Sequence, residues 1–274
     1  MASLAALDYQ RLTGRYAPMW PVLNWGLFGI GALYAIALIL RVVPGYDGLT
    51  GPLGVMIDGE AYYTAAWADP YANSTAGAHG AYLYSPAFLV AIEPLRWLPP
   101  EGFMAVWTGL HLAAVAWLAP WMAVFPGVID DVVRGNVNTF LAVMLVVAVR
   151  QPVAWSFALL TKVTPAIGMA WHLARREWGA LTIALLVTLG IALVVALLTG
   201  VDVWADWVAS LRSHDPSRVF IRVPVAVIVI ALGAWRWPWL LPVGAIIGMD
   251  TPALSAFALL AAIPRLSRYT PSTD

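Results

Sequence analysis

The sequence predicts an all-α protein held in a membrane by about seven to nine helical spans, each needing about 20 apolar residues. Three observations lead there. Of the 274 residues, 61% are hydrophobic and only 11% charged, with mean hydropathy +0.78; soluble domains carry about 25% charged residues. Long apolar runs recur from Trp20 to Pro264. The links between them are rich in Gly, Pro, Asn and Asp, which break regular structure.

The elements follow in order within one membrane domain, residues 1–274. "WPVLNWGLFGIGALYAIALILRVV" (20–43) is the first span, too long for a signal-peptide core and expected to be a retained anchor. Residues 44–85 form a polar, turn-rich loop, expected outside. Residues 86–200 hold the core spans. "PAFLVAIEPLRWL" is apolar but short, with Glu93 and Arg96 one helical turn apart, and "FMAVWTGLHLAAVAWLAPWMAVF" is a full span. After "PGVIDDVVRGN" come "VNTFLAVMLVVAV", "PVAWSFALLTKVTPAIGMAWHL" and the cleanest run, "WGALTIALLVTLGIALVVALLTG". Residues 201–218 place Trp204, Trp207, Val208 and Leu211 on one helical face, opposite Asp202 and Asp206. Such a helix is expected to lie flat at the outer interface. Residues 219–264 supply the C-terminal spans.

Arginines near span ends set the orientation. Arg11 and Arg15 precede the first span, Arg175 and Arg176 mark a turn, and Arg265 and Arg268 follow the last run. Both termini are therefore expected in the cytoplasm, in a multi-pass protein of the plasma (inner) membrane. Parity leaves a choice open. If every run from Trp20 to Leu173 crosses, Arg175 and Arg176 emerge outside. Either "PAFLVAIEPLRWL" does not cross, or a crossing near "WLAPWMAVFPGVI" is compressed or missing.

Composition excludes several chemistries. Net charge is zero, which gives no nucleic-acid footprint. The chain has no cysteine, so disulfides and thiol catalysis are absent. It has no Walker loop, G-x-G-x-x-G, Cys/His cluster or G-x-S-x-G. No inverted repeat with paired broken helices points to a transporter.

Two places could carry chemistry. In the first loop, Asp58 and Glu60 sit beside Tyr62, Tyr63 and Trp67. Aromatic faces pack against sugar rings, and a carboxylate beside them can take a hydroxyl proton. A loop acid capping a short helix, with Tyr and Trp at the lipid interface, is the plainer account. Asp58 and Glu60 could also hold a divalent cation, though two carboxylates are a weak metal signal; no cofactor is expected. The second place is Lys162, the chain's only lysine, within an apolar run. A charge at mid-bilayer costs about 2.5–3.5 kcal/mol on insertion scales and normally faces a cavity or a partner. Pro165 should break the helix beside it, and Thr161 and Thr164 add hydroxyls, so the site suits a phosphate entering from the membrane. The alternative is an ion pair with Glu93, Asp130 or Asp131 that serves packing alone. Arg222, after the interfacial helix, could bind a lipid phosphate or simply snorkel, as could Arg134. His79 and His214 lie in the outside links, and His111 and His172 within spans.

The order "IDGEAYY", "YLYSPAFLVAIEPLRWLP", "RGNVNTFLAVMLVVAV", "LLTKVTPAIGMAWHLARREW" resembles the polyprenol-phosphate-mannose-dependent mannosyltransferases, glycosyltransferase family 87 of the GT-C membrane class. The likeness covers Met56 to Trp178, and "TGVDVWADWVASL" extends it more weakly. It implies a GT-C-like fold and inverting transfer of a sugar at the outer membrane face. The donor would be a polyprenyl-phosphate-linked sugar and the acceptor a cell-envelope glycolipid or glycan, with membrane lipids as surroundings and no nucleic acid. Asp58 would be the general base and Lys162 would lie near the donor phosphate. Tyr82, Tyr84, Asn136 and Asn138 would shape the cavity. A shortened non-catalytic relative that binds or moves lipid-linked phosphate is the alternative.

Overall fold

The computed structural model describes residues 19–40, 56–72, 74, 80–162, 164–212, 219–249 and 252–269. His79, His214, Arg11, Arg15 and Arg41 lie outside them. Every regular element among the described residues is helical. In chain order the α-helices are α1 (Trp20–Ile39), α2 (Ile57–Thr64), α3 (Pro86–Arg96), α4 (Pro100–Leu118), α5 (Pro126–Arg134), α6 (Asn138–Ala148), α7 (Trp155–Thr161), α8 (Ala170–Ala174), α9 (Trp178–Thr199), α10 (Val201–Arg212), α11 (Val219–Trp235), α12 (Leu240–Ile247) and α13 (Ile263–Leu266). Short 3₁₀ segments join several of them, including Pro120–Val124, Thr164–Met169 and Leu254–Ala262.

Three helices are long and apolar enough to cross a membrane: α1, α4 and α9. These are the candidates among the described residues; the pair α5 and α6, bent by 115° at its break, passes the same test only when the two are taken together. The sequence led us to expect about seven to nine spans. The apolar runs are there, but Pro and Gly divide several of them into helices shorter than the roughly 30 Å hydrocarbon layer. The helix α3 shows this. Its 11 residues rise about 16 Å, and Pro94 sits inside it.

Both ends of α3 are tied to other segments by hydrogen bonds. At its start Ser85 donates its hydroxyl to the Leu160 carbonyl beside Lys162. At its end Arg96 donates to the Tyr63 carbonyl at 3.2 Å and to the Ala65 carbonyl. Arg96 also pairs with Glu93 at 2.7 Å, and Trp67 donates to the same carboxylate at 3.0 Å. This knot ties the segment after α2 to α3.

The stretch 119–134 runs the opposite way to α4. Trp121 N–H donates to the Asn24 side chain at 2.9 Å, near the start of α1. Ala123 then lies against Gly31 in the middle of α1, where a side chain larger than hydrogen would overlap its backbone. Gly135 arrives at Met56 and Gly59, beyond the far end of α1. Pro120 and Pro126 divide this climb into a 3₁₀ turn and a short helix.

The segment 152–174 is a second excursion that returns to its start. It leaves at Trp155, and α7 ends at Thr161 with Lys162 in extended conformation (φ −140°, ψ 102°). It returns at His172, whose ring meets Trp155 edge-on at 6.2 Å and lies 3.2 Å from the Ala148 carbonyl. The helix therefore opens at the lysine, where Pro165 leaves the Thr161 carbonyl without its helical donor.

In α10, Trp207 is buried and donates to the Leu83 carbonyl at 3.4 Å, and Trp204 meets it edge-on at 5.6 Å. Val208 and Leu211 stay exposed. The expected apolar face is thus shared: its tryptophans dock on the protein and its aliphatic residues face outward.

Candidate active site

The turn between α5 and α6 meets the tip of the 152–174 excursion. Gly135, Asn136 and Val137 form the turn between α5 and α6, and Lys162 is the tip of the second excursion. Asn136 donates its amide to the Asp58 carboxylate at 3.0 Å. Two residues on, Asn138 accepts a hydrogen bond from the Lys162 ammonium at 3.3 Å. A carboxylate and an ammonium are therefore held by two asparagines, one in the turn and one at the start of α6.

The turn needs glycine. Gly135 has φ +68°, and a Cβ there would lie 2.8 Å from the Met56 methyl and 3.2 Å from the Gly59 nitrogen. The left-handed conformation costs other residues about 1–2 kcal/mol. Its carbonyl accepts a bond from the Trp107 indole at 2.8 Å.

Asp131 fixes the asparagine that meets Lys162. It is fully buried and accepts four hydrogen bonds: from Asn138 N–H (3.2 Å) and side chain (2.9 Å), and from Thr139 N–H (2.7 Å) and hydroxyl (2.6 Å). The first N–H groups of a helix lack partners within it and favour a negative charge. Asp131 thus caps α6 from the previous helix and orients Asn138. Its role was not read from the sequence, because an acid seven residues ahead of Asn-Thr, across a Gly-Asn break, leaves no periodic signal. His111 supports the same turn, with its ring 2.5 Å from the Asn136 carbonyl and 2.9 Å from the Trp107 carbonyl.

Around Asp58 the aromatic residues form a relay. Tyr62 donates to the Tyr84 hydroxyl at 2.8 Å, and Tyr84 donates to the Asn136 side-chain oxygen at 3.4 Å. The Val137 N–H shares that oxygen at 2.7 Å, so the Asn136 amide is aimed at Asp58. Tyr71 and Tyr82 anchor the loop backbone, donating to the carbonyls of Tyr84 (2.8 Å) and Ser85 (3.0 Å). Burial raises the hydroxyl pKa of Tyr62, Tyr82 and Tyr84 far above neutrality, so they act as neutral donors.

Asp58 lies outside the membrane-spanning segments. Burial raises its pKa above the ordinary value, while Lys162, Asn136 and Arg134 pull it down less strongly. A raised carboxylate is a stronger base than a free one.

The sequence-derived residues fall into three groups. Asp58, Asn136, Asn138 and Lys162 form one cluster. Glu60, Tyr62, Tyr82 and Tyr84 are buried, and Tyr62 and Tyr84 reach the cluster through the Asn136 side chain. Arg222 stands elsewhere: it donates to the Met249 carbonyl at 2.8 Å and lines an apolar cleft of about 480 Å³ with Ile246 and Phe257. Of the acids considered as packing partners for Lys162, Glu93 binds Arg96, Asp130 binds Arg134 at 3.1 Å, and Asp131 binds Asn138, which itself accepts from Lys162. No group of three His, Cys, Asp or Glu residues that could hold a metal occurs among the described residues.

Comparison with curated proteins and with solved structures gives no match. The model of glycosyltransferase family 87 matches residues 82–272, well over half of the chain. The match takes in the Tyr82–Tyr84 stretch, the Asn136–Asn138 turn and Lys162, and begins after Asp58. The chain belongs to glycosyltransferase family 87, a family of GT-C membrane proteins.

Proposed function

We propose that this membrane glycosyltransferase moves a sugar, mannose by the family resemblance, from a polyprenyl-phosphate donor to a cell-envelope glycolipid or glycan at the outer face. One observation carries the proposal: Asp58 and Lys162 are held by two asparagines, Asn136 in the Gly135–Val137 turn and Asn138 at the start of α6. The acceptor hydroxyl oxygen attacks the anomeric carbon and gives its proton to Asp58. The bond from that carbon to the phosphate oxygen breaks with inversion. Polyprenyl phosphate leaves with one more negative charge than it held as the diester. A fixed ammonium near that oxygen stabilises the added charge, and such preorganised electrostatics is usually the largest part of catalysis.

The chain's path supports an outer site. With the start of α1 in the cytoplasm, α1 crosses outward and α4 inward, with α2 and α3 remaining outside. Residues 119–134 then climb out as a compressed crossing, and α6 returns. The second excursion also begins and ends inside, which leaves Arg175 and Arg176 cytoplasmic as their charge favours. On this path four segments cross between Trp20 and Leu173, because α3 and the second excursion do not cross while residues 119–134 do. On this path the 44–85 loop and the 201–218 helix lie outside, beside the core of residues 86–200. The runs between 219 and 264 bring the chain back in, within one domain.

The test is transfer in proteoliposomes offered a panel of polyprenyl-phosphate sugars and acceptor glycolipids. The proposal expects inverted product from the mannosyl donor, and failure of every polyprenyl donor would end it. A second reading, a member that binds lipid-linked phosphate without turnover, draws on the family match beginning at Tyr82, past Asp58. It expects polyprenyl phosphate to bind while no sugar moves.

A further inference from the structure

A second candidate site lies at the other end of the bundle, where α4 and α6 both finish. A cleft of about 330 Å³ there is lined by Trp117, Arg150, Gln151, Arg265, Arg268 and Tyr269, together with aliphatic residues of α6. It is far along the helices from the Asp58 turn: Trp117 is in the last turn of α4, and Arg150 is just past the end of α6. Three guanidiniums share this cleft and no acid lines it. Among the described residues none of the three is in an ion pair.

Two of them are held in place. Arg265 stacks over Trp117 at 4.0 Å and donates through Nε to the Trp117 carbonyl at 2.6 Å. Arg150 stands over the Tyr269 ring at 5.3 Å. Capping the carbonyl ends of α4 and α6 accounts for one guanidinium; it does not account for three converging on a cleft. The bond of Arg265 uses Nε and leaves its terminal amino groups for an acceptor. Stacked, forked guanidiniums suit phosphate oxygens.

The height of the cleft identifies the source of the phosphate. A tryptophan at the end of a spanning helix sits at headgroup level, and Trp117 and Trp121 are both exposed there. Basic pockets between helix ends at that level bind anionic headgroups. We infer that the Arg150–Arg265–Arg268 cleft binds the phosphate of an anionic phospholipid. This binding is independent of the chemistry at Asp58.

The experiment compares purified protein in neutral detergent with added phosphatidylglycerol, phosphatidylcholine or inorganic phosphate, reading retained lipid by native mass spectrometry and protection by thermal shift. The variants are Arg150→Gln and Arg268→Gln, which spare the backbone bond of Arg265. Wild type should retain phosphatidylglycerol over phosphatidylcholine, and each substitution should cut that preference about fivefold. Phosphatidylcholine should still protect the variants from heat as it does wild type, which shows them folded. Equal retention of the two lipids by wild type, or an unchanged preference in both variants, overturns the inference. Protection by inorganic phosphate equal to that by phosphatidylglycerol overturns it too, because the site would then take a soluble anion.

Discussion

The Asn136 amide lies 3.0 Å from the Asp58 carboxylate, joining residues 78 apart in sequence. The bond favours the ionised form, so its loss should raise the Asp58 pKa further. The sign follows directly: a base must be unprotonated, so transfer falls as pH drops through its pKa. Because burial already raises that pKa, the acid limb of kcat/KM should lie above the ordinary carboxylate range. In Asn136→Ala the limb should move to higher pH, with activity partly restored in alkaline buffer. A pH–rate profile of both proteins checks this, and a purely structural asparagine would lower the rate without moving the limb.

Lys162 should act on the leaving phosphate. Lys162→Gln keeps a hydrogen-bond donor for Asn138 but removes the charge. Loss of one preorganised electrostatic group costs about 10²–10³ in kcat. The measured kcat should fall by that order. A change confined to KM would assign Lys162 to donor binding alone.

Gly135 is required by conformation and by space. Gly135→Ala should destabilise the fold by at least the roughly 1–2 kcal/mol of a left-handed alanine, with a further cost from the 2.8 Å approach to Met56. Thermal unfolding in detergent measures the loss. Gly80 also has positive φ, at +72°, but nothing lies within 4 Å of a Cβ there; Gly80→Ala should therefore cost less.

The Arg175–Glu177–His172 knot should make stability depend on pH. Glu177 is 2.6 Å from both Arg175 and His172. Burial pushes its pKa up, but the bonds from Arg175 and His172 outweigh this and the net shift is downward. A depressed carboxylate stabilises the fold above its unfolded pKa, and the benefit fades as pH falls through the folded one. The melting temperature should drop through that acidic window in wild type and vary less in Glu177→Gln.

Much of this arrangement was legible in the sequence, and the rest has physical reasons for being hidden. An isolated lysine in an apolar run, followed by Pro165, marks a broken helix with a charge to place, and the helix does end at Thr161. Acids beside aromatic residues after the first span marked Asp58. Spans were harder to read, because hydropathy reports apolar length but not where Pro120 and Pro126 divide a stretch into short pieces. The role of Asp131 was hidden because a cap reaching between two helices has no periodic signature. In α10, periodicity gave the apolar face but could not tell that Trp204 and Trp207 turn to protein while Val208 and Leu211 stay exposed.

The most direct test of the central claim is the turnover of Asp58→Asn, reconstituted in membranes with polyprenyl-phosphate mannose and acceptor. Asparagine retains a partner for Asn136 but cannot take the hydroxyl proton, so transfer should be abolished while the melting temperature stays close to wild type. Full activity in a folded Asp58→Asn protein would contradict the account, because the acceptor would then lose its proton to another group.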